Sequence, residues 1–357
     1  MMQIDLSREA DVPAIMQFLD EHWSHGHPLA VSRTLMDFQH RHDNGYGFVI
    51  ARRSNAIIGI LGYISIASFD PALSDKDTLW LTTWKVRDDS GSSAVGMMLL
   101  AALRERVPCH ALGTIGMNAA TEPLYRGLGF RVGTLGHYTA FHPGHREFHL
   151  AHVPTDIREA LHRPTNGSGR LIPVSRDDLR NQTGEDYDFG ERNLSLPVKS
   201  PVFFANRYLD HPFYRYDVRM IQVDGHPRGL LAFRLLTHDG HRALRLVDVY
   251  CDNEPIAKIS GSVVELLEQY DAEYLQLYAT GISETALSKA GFHVIPEEGS
   301  LRVPLHFEPF DPSNKTLRYT FSSSAENFDT SPILVTGDAD QDRPGDLSLM
   351  NPVENTL

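Results

Sequence analysis

The chain spells one long pattern twice, and that repetition limits its folds more than any other feature. In the first half, the strand TLWLTTWKV (78–86) is followed by the helix SAVGMMLLAALRERV (93–107), the strand ALGTIGM (111–117) and a short helix ending at Leu128-Gly129-Phe130. In the second half, RALRLVDVYC (242–251), EPIAKISGSVVELLEQY (254–270), AEYLQLYA (272–279) and GISETALSKAGF (281–292) repeat strand, helix, strand and helix. Trp80 to Phe130 spans 50 residues and Leu244 to Phe292 spans 48. A hairpin precedes each copy. One turns at Ser54-Asn55, between GYGFVIARR and AIIGILGYISI, and the other at Asp224-Gly225, a two-residue turn signal between apolar runs.

Hairpins followed by strand–helix–strand crossovers require antiparallel and parallel pairing in one sheet. With MQIDL (2–6) as a strand, ADVPAIMQFLDEHW as a helix and another helix near 31–41, the first half reads β-α-α-β-β-β-α-β-α-β. FRVGTLGHYTAFH closes it as one or two strands. Helix 93–107 turns Met98, Leu99, Ala102 and Leu103 inward. This is α/β with a mixed, α+β-type sheet, not a doubly wound pattern. Expected boundaries are a first domain at 1–150, a connector at 151–170, a second domain at 171–305 and a polar C-terminal extension at 306–357 whose last ten residues are loose.

Composition excludes several functions. The 357 residues are 41% hydrophobic and 22% charged, as in a globular protein. A net charge of −13 from 33 basic and 46 acidic residues gives no counterion-release affinity, so nucleic acid is not the expected partner. The two cysteines, Cys109 and Cys251, have no metal-binding spacing and fit a reducing compartment. No apolar run approaches a membrane span, and MMQIDLSREADVPAIM lacks the marks of a secretory signal. The expected location is the cytoplasm.

One strand–turn–helix carries chemistry. WLTTWKV, then RDDSGSSAVG, then MMLLAAL, followed by Asn118, Tyr125 and Gly129-Phe130, resembles the GCN5-related N-acetyltransferase superfamily. The likeness covers residues 1–145 well and roughly 170–305 more weakly. It implies two tandem domains of that fold, the second degenerate, and acetyl-CoA or another acyl-CoA as cofactor. A helix N-terminus with small residues suits a pyrophosphate, because backbone N–H groups can approach it. The family's Gln/Arg-x-x-Gly-x-Gly/Ala loop corresponds to Gly91, Ser92, Ser93, Ala94, Val95 and Gly96, with Arg87 as stand-in for the leading cation. The resemblance further implies that Trp84, Lys85 and Val86 bond the pantetheine as an added strand, and that an N–H near Val86 polarises the thioester carbonyl. Asn118 would hold the coenzyme arm and Tyr125 would protonate the leaving thiolate. Tyr125 packing between helix and sheet is the plainer alternative. In the second half Glu254, Pro255 and Leu287 stand where loop and tyrosine would be, so that half is not expected to bind coenzyme.

The acceptor side offers several candidates. His22, His25, His27 and Glu21 lie where this fold shapes an acceptor site, although a histidine in a polar loop is more often simply solvated. Arg207, Tyr208, His211, Tyr214 and Arg215 fall within twelve residues and suit a nucleotide diphosphate, or serve as aromatic packing. Asp248, mid-strand, is a candidate base. GDADQDRPGD (337–346) has Asp338, Asp340 and Asp342 at calcium-loop spacing, but Arg343 replaces the glycine and Leu349 the final glutamate. It reads instead as a rigid turn that contacts a polar ligand or caps the domain interface. Tandem chains of this superfamily resemble amino-sugar N-acyltransferases of surface-polysaccharide (O-antigen, capsule) synthesis. The expectation is therefore acylation of a nucleotide-linked amino sugar, with a homodimer left open. Rival readings are another small amine or a protein amine, an aminoacyl-tRNA donor, and a non-catalytic ligand-binding module.

Overall fold

The computed structural model describes residues 2–43, 45–90, 94–161, 167–181, 196–323 and 332–345. The first half runs β1 (Met2–Leu6), α1 (Val12–His22), α2 (Pro28–Val31), α3 (Arg33–His40), β2 (Phe48–Arg53), β3 (Ala56–Ser65), β4 (Thr78–Val86), α4 (Ala94–Arg106), β5 (Ala111–Ile115), α5 (Glu122–Gly127), β6 (Arg131–Thr134) and β7 (Gly136–Phe141). The second runs β8 (Arg170–Pro173), β9 (Tyr216–Val223), β10 (His226–His238), β11 (His241–Cys251), α6 (Ser260–Tyr270), β12 (Tyr274–Thr280), α7 (Glu284–Lys289) and β13 (His293–Val294), then β14 (Arg318–Ser323) and β15 (Leu334–Val335). The element order expected for the first half holds apart from one added short helix, Pro28–Val31, with FRVGTLGHYTAFH divided into two strands.

The repeat is visible as geometry. β4 pairs parallel with β5 at Thr78–Trp80, and β11 pairs parallel with β12 at Leu244–Leu246. Gly129 and Gly291, at φ of 82° and 95°, end α5 and α7 in the left-handed region that glycine tolerates best. The following Phe130 and Phe292 N–H groups donate to the carbonyls of Tyr125 and Leu287 respectively. These matching hydrogen bonds make Leu287 the structural counterpart of Tyr125.

The sheets do not respect the sequence boundaries. The first, seven-stranded sheet is ordered β1-β2-β3-β4-β5-β14-β6, so a strand from residues 318–323 sits between β5 and β6. The second, eight-stranded sheet runs β8-β9-β10-β11-β12-β7-β13, with β15 also on β12, so first-half residues 136–141 sit between β12 and β13. Each half thus donates the strand that completes the other. Residues 306–357 are not merely a polar extension, and 1–150 is not a self-contained unit. Adjacent strand residues face opposite sides, and Thr320 and Phe321 are both fully buried while their neighbours are half-buried, so this strand is covered on both faces. Phe321 packs on Trp80, across Gly113, where a Cβ would come within 2.9 Å of both rings.

Helix α4 buries Val95, Leu99, Leu100, Ala102 and Leu103 on the first sheet. Met98, expected inward, is 43% exposed. A 100° step per residue from Leu99 and Leu103 reaches Val95 and Ala102 before Met98. Between the sheets, Phe203, Phe204, Tyr208, Tyr278, Leu334 and Ala339 share one apolar cluster with Trp80 and Phe321.

Candidate functional site

After Trp80 and Gly113 the strands β4 and β5 part. Ladder pairing stops and a wedge opens. Opposite Gly62, a register shift takes Thr82 and Thr83 out of the β3–β4 ladder, so this bulge leaves backbone groups free of sheet bonds. The wedge forms a cavity of about 710 Å³. Its walls are Thr82, Thr83, Trp84 and Val86 from β4, Thr114 to Asn118 from β5 and the turn after it, Gly96 from α4 and Tyr125 from α5. Trp23 closes one rim at 45% exposure.

Sequence-expected residues fall on both sides of this boundary. Trp84, Val86, Gly96, Asn118 and Tyr125 line the cavity. Gly96 lies against the Trp84 indole, where a Cβ would stand 3.3 Å from Nε1. Asn118 caps the turn leading into α5, its Oδ1 accepting from Ala120 N–H at 2.9 Å. Tyr125 is 5% exposed and held edge-on between Trp84 and Phe130. Burial pushes its phenol up to about 12, which keeps the proton on oxygen at neutral pH. Ala94 and Val95 begin α4, while Gly91, Ser92 and Ser93 lie outside the described residues. Lys85 and Arg87 are absent from the cavity walls and pair with Asp88 and Asp89 on the surface. The bulge, not Val86, is where β4 leaves its ladder: Val86 still pairs with Gly59.

On the acceptor side, His25 is exposed and hydrogen-bonds Asp20. His27 is buried and caps α2, its Nδ1 accepting from Leu29 N–H at 3.2 Å. The second-half candidates lie away from the cavity, and their bonds explain why. Lys199 Nζ sits 2.5 Å from Asp248 and 2.9 Å from Asp338, all fully enclosed. Tyr208 donates to Asp248 as well. Arg207 donates to Ala339 O and lies over the Phe69 ring. His211 accepts from Phe213 and Tyr214 N–H, and Tyr214 donates to Glu308. Of the cluster read as a nucleotide patch, Arg207, Tyr208, His211 and Tyr214 are therefore interior packing while Arg215 is exposed, and Asp248 is half of a buried ion group.

What that group holds is a strap, residues 332–345. The second sheet has the same wedge, with Val247 out of the β10–β11 ladder. The strap fills it: β15 pairs with β12, and Gly337 N–H donates to Val247 O at 2.7 Å. It then crosses to the first wedge. Gln341 donates to Ile115 O at 2.8 Å, and Asp342 accepts from Tyr216, Arg234 and Arg245. Asp340, Gln341 and Arg343 emerge as cavity wall. Asp338, Asp340 and Asp342 each face a different cation, which is not a calcium loop.

Trp23, the two threonines and the strap residues were not identified from sequence as site residues. Their only signal was GDADQDRPGD, read as a turn meeting a ligand or an interface.

No protein-family profile and no curated protein matches the chain by sequence. Solved structures do match. A GCN5-related N-acetyltransferase from Anabaena variabilis aligns over 90% of this chain and 72% of its own, at TM-score 0.53 and 13% identity. One from Kribbella flavida aligns over 90% and 71%, at TM-score 0.51 and 12% identity. The chain has the fold of the GCN5-related N-acetyltransferases, spelled twice. Among the described residues, no helix is long and apolar enough to cross a membrane, and no group of three or more His, Cys, Asp or Glu side chains is placed to hold a metal ion.

Proposed function

We propose that the first half is an acyl-CoA-dependent N-acyltransferase for a small amine. The observation that carries this reading is the wedge cavity with Tyr125 and the β4 bulge on its walls. The fit to the coenzyme is local: β4 has no ladder partner on the β5 side beyond Trp80, a free edge that suits an amide-bearing pantetheine. Bound there, the coenzyme supplies the thioester carbonyl.

The residues divide the work. Bulge N–H groups at Thr82–Thr83 suit a developing oxyanion. Asp340 takes the proton of the incoming ammonium, freeing the nitrogen lone pair. As the C–N bond forms and the C–S bond breaks, the Tyr125 phenol proton passes to sulfur, and the second amine proton restores the phenol. The second half lacks this equipment. Leu287 replaces the tyrosine, and the strap occupies its wedge.

The finer reading, a nucleotide-linked amino sugar for surface-polysaccharide synthesis, loses its nucleotide support because Arg207, Tyr208, His211 and Tyr214 are buried. The cavity wall shared by Trp23, Thr82, Gln341 and Asp340 still suits a hydroxylated ring with an amine. Titration calorimetry with acetyl-CoA tests the reading. Micromolar binding that Gly96→Trp abolishes supports it. No binding at millimolar coenzyme leaves only an inherited fold.

A further inference from the structure

The strap brings a carboxylate and a guanidinium side by side into the cavity. Arg343 Nη1 lies 2.8 Å from Asp340 Oδ2, and both residues form its wall. Neither can readily withdraw. Asp338 is tied to Lys199, Ala339 O to Arg207, Gln341 to Ile115 O and Asp342 to Arg234 and Arg245. Among the described residues, the side-chain bonds of Arg343 run through Nη1 alone, to Asp340 O and Oδ2. Its other guanidinium N–H groups remain available.

The alternatives fit less well. A polyamine would meet Asp340 but be repelled by Arg343. A neutral amine would leave Arg343 unused. A molecule with both an ammonium and an anion answers the whole set.

We propose that the acceptor is a small amine carrying a carboxylate or phosphate on the same molecule, with the amine at Asp340 and the anion at Arg343. This rests on the acyltransferase reading. The test uses the full chain with acetyl-CoA and matched acceptors: glucosamine 6-phosphate against glucosamine, serine against serinamide, and spermidine as polycation. Thiol release gives kcat and KM. Calorimetry of each acceptor with coenzyme A present gives binding without turnover.

One anionic member of a pair should exceed its neutral partner at least tenfold in kcat/KM or affinity, and which pair responds distinguishes phosphate from carboxylate. Arg343→Gln should erase that preference through KM or affinity, sparing acetyl-CoA binding, and Arg343→Lys should restore much of it. Equal or better use of the neutral members or spermidine, no binding of either anionic member, or an equal effect of Arg343→Gln on both members would overturn the proposal. Loss of acetyl-CoA binding by the unaltered chain would instead remove the acyltransferase reading itself.

Discussion

Tyr125 and the buried histidines show how the same interior gives opposite titration behaviour. Burial favours the neutral form of each group, so the phenol rises to about 12 while His27 and His40 fall to about 4. For Tyr125 this means a proton donor throughout the working range. Tyr125→Phe should lower kcat about 100-fold, with acetyl-CoA affinity unchanged, and kcat should show no alkaline loss attributable to this phenol below pH 10. A phenylalanine enzyme that turns over normally would remove the acid role and leave only packing against Trp84. For the histidines the sign runs the other way. A folded value below the unfolded 6.5 means the unfolded chain binds more protons between pH 6.5 and 4. Their contribution is complete above 6.5 and is lost as pH falls through 4. His137 and His211, at about 3, add to the effect. Each gap is worth at most about 3–5 kcal/mol. Asp338, raised by burial and by Asp248 against the pull of Lys199, and Asp77, raised by burial, act in the opposite direction, but these two carboxylates are set against four imidazoles. Thermal melts should therefore drop steeply from pH 7 to pH 4.5, and a flat profile would contradict the neutral assignments.

The strap is the element on which both wedges depend. Lys199 neutralises two carboxylates that have no water to turn to. Lys199→Met should cost about 3–5 kcal/mol, because it leaves charge buried and unpaired. Adding Asp248→Asn and Asp338→Asn should recover much of that loss in urea melts. If the single and triple variants melt alike, the ion group is not what anchors the strap. Sequence reading found this element only by its composition. Periodicity exposed each strand and helix that pairs locally, since hairpins and crossovers leave a period of two or of 3.6 residues. The strap has neither. Its hydrogen-bond partners elsewhere in the chain lie between 37 and 226 residues away, from Glu308 to Ile115, and no local pattern encodes partners that distant. The same blindness made Arg207, Tyr208 and Asp248 look like a ligand surface. Arginine and aromatic side chains suit a nucleotide and a buried ion group equally well, and only the fold tells which they face. Tyr125, Asn118 and Gly96 were legible because they sit at fixed spacings within one crossover.

Across the whole molecule, the exchange of β7 and β14 makes each half a structural ligand of the other. A fragment ending at residue 150 would keep β5 and β6 but lose the strand between them, along with the fully buried Phe321. Its unpaired edges would invite aggregation. The intact chain should then unfold as one unit despite a size that usually gives separable domains. The three tryptophans, Trp23, Trp80 and Trp84, all lie in the first half, so their fluorescence reports on that half and, through Trp80, on the apolar cluster between the sheets. Leu275 is fully buried in β12, within the second-half core. Leu275→Ala should cost about 2–5 kcal/mol. The tryptophan midpoint in urea should move by the same amount as the far-ultraviolet circular dichroism midpoint, although the mutation touches no residue near an indole. A circular dichroism transition that splits, with tryptophan fluorescence following only the unshifted part, would mean that the exchanged strands join the halves without coupling their stability.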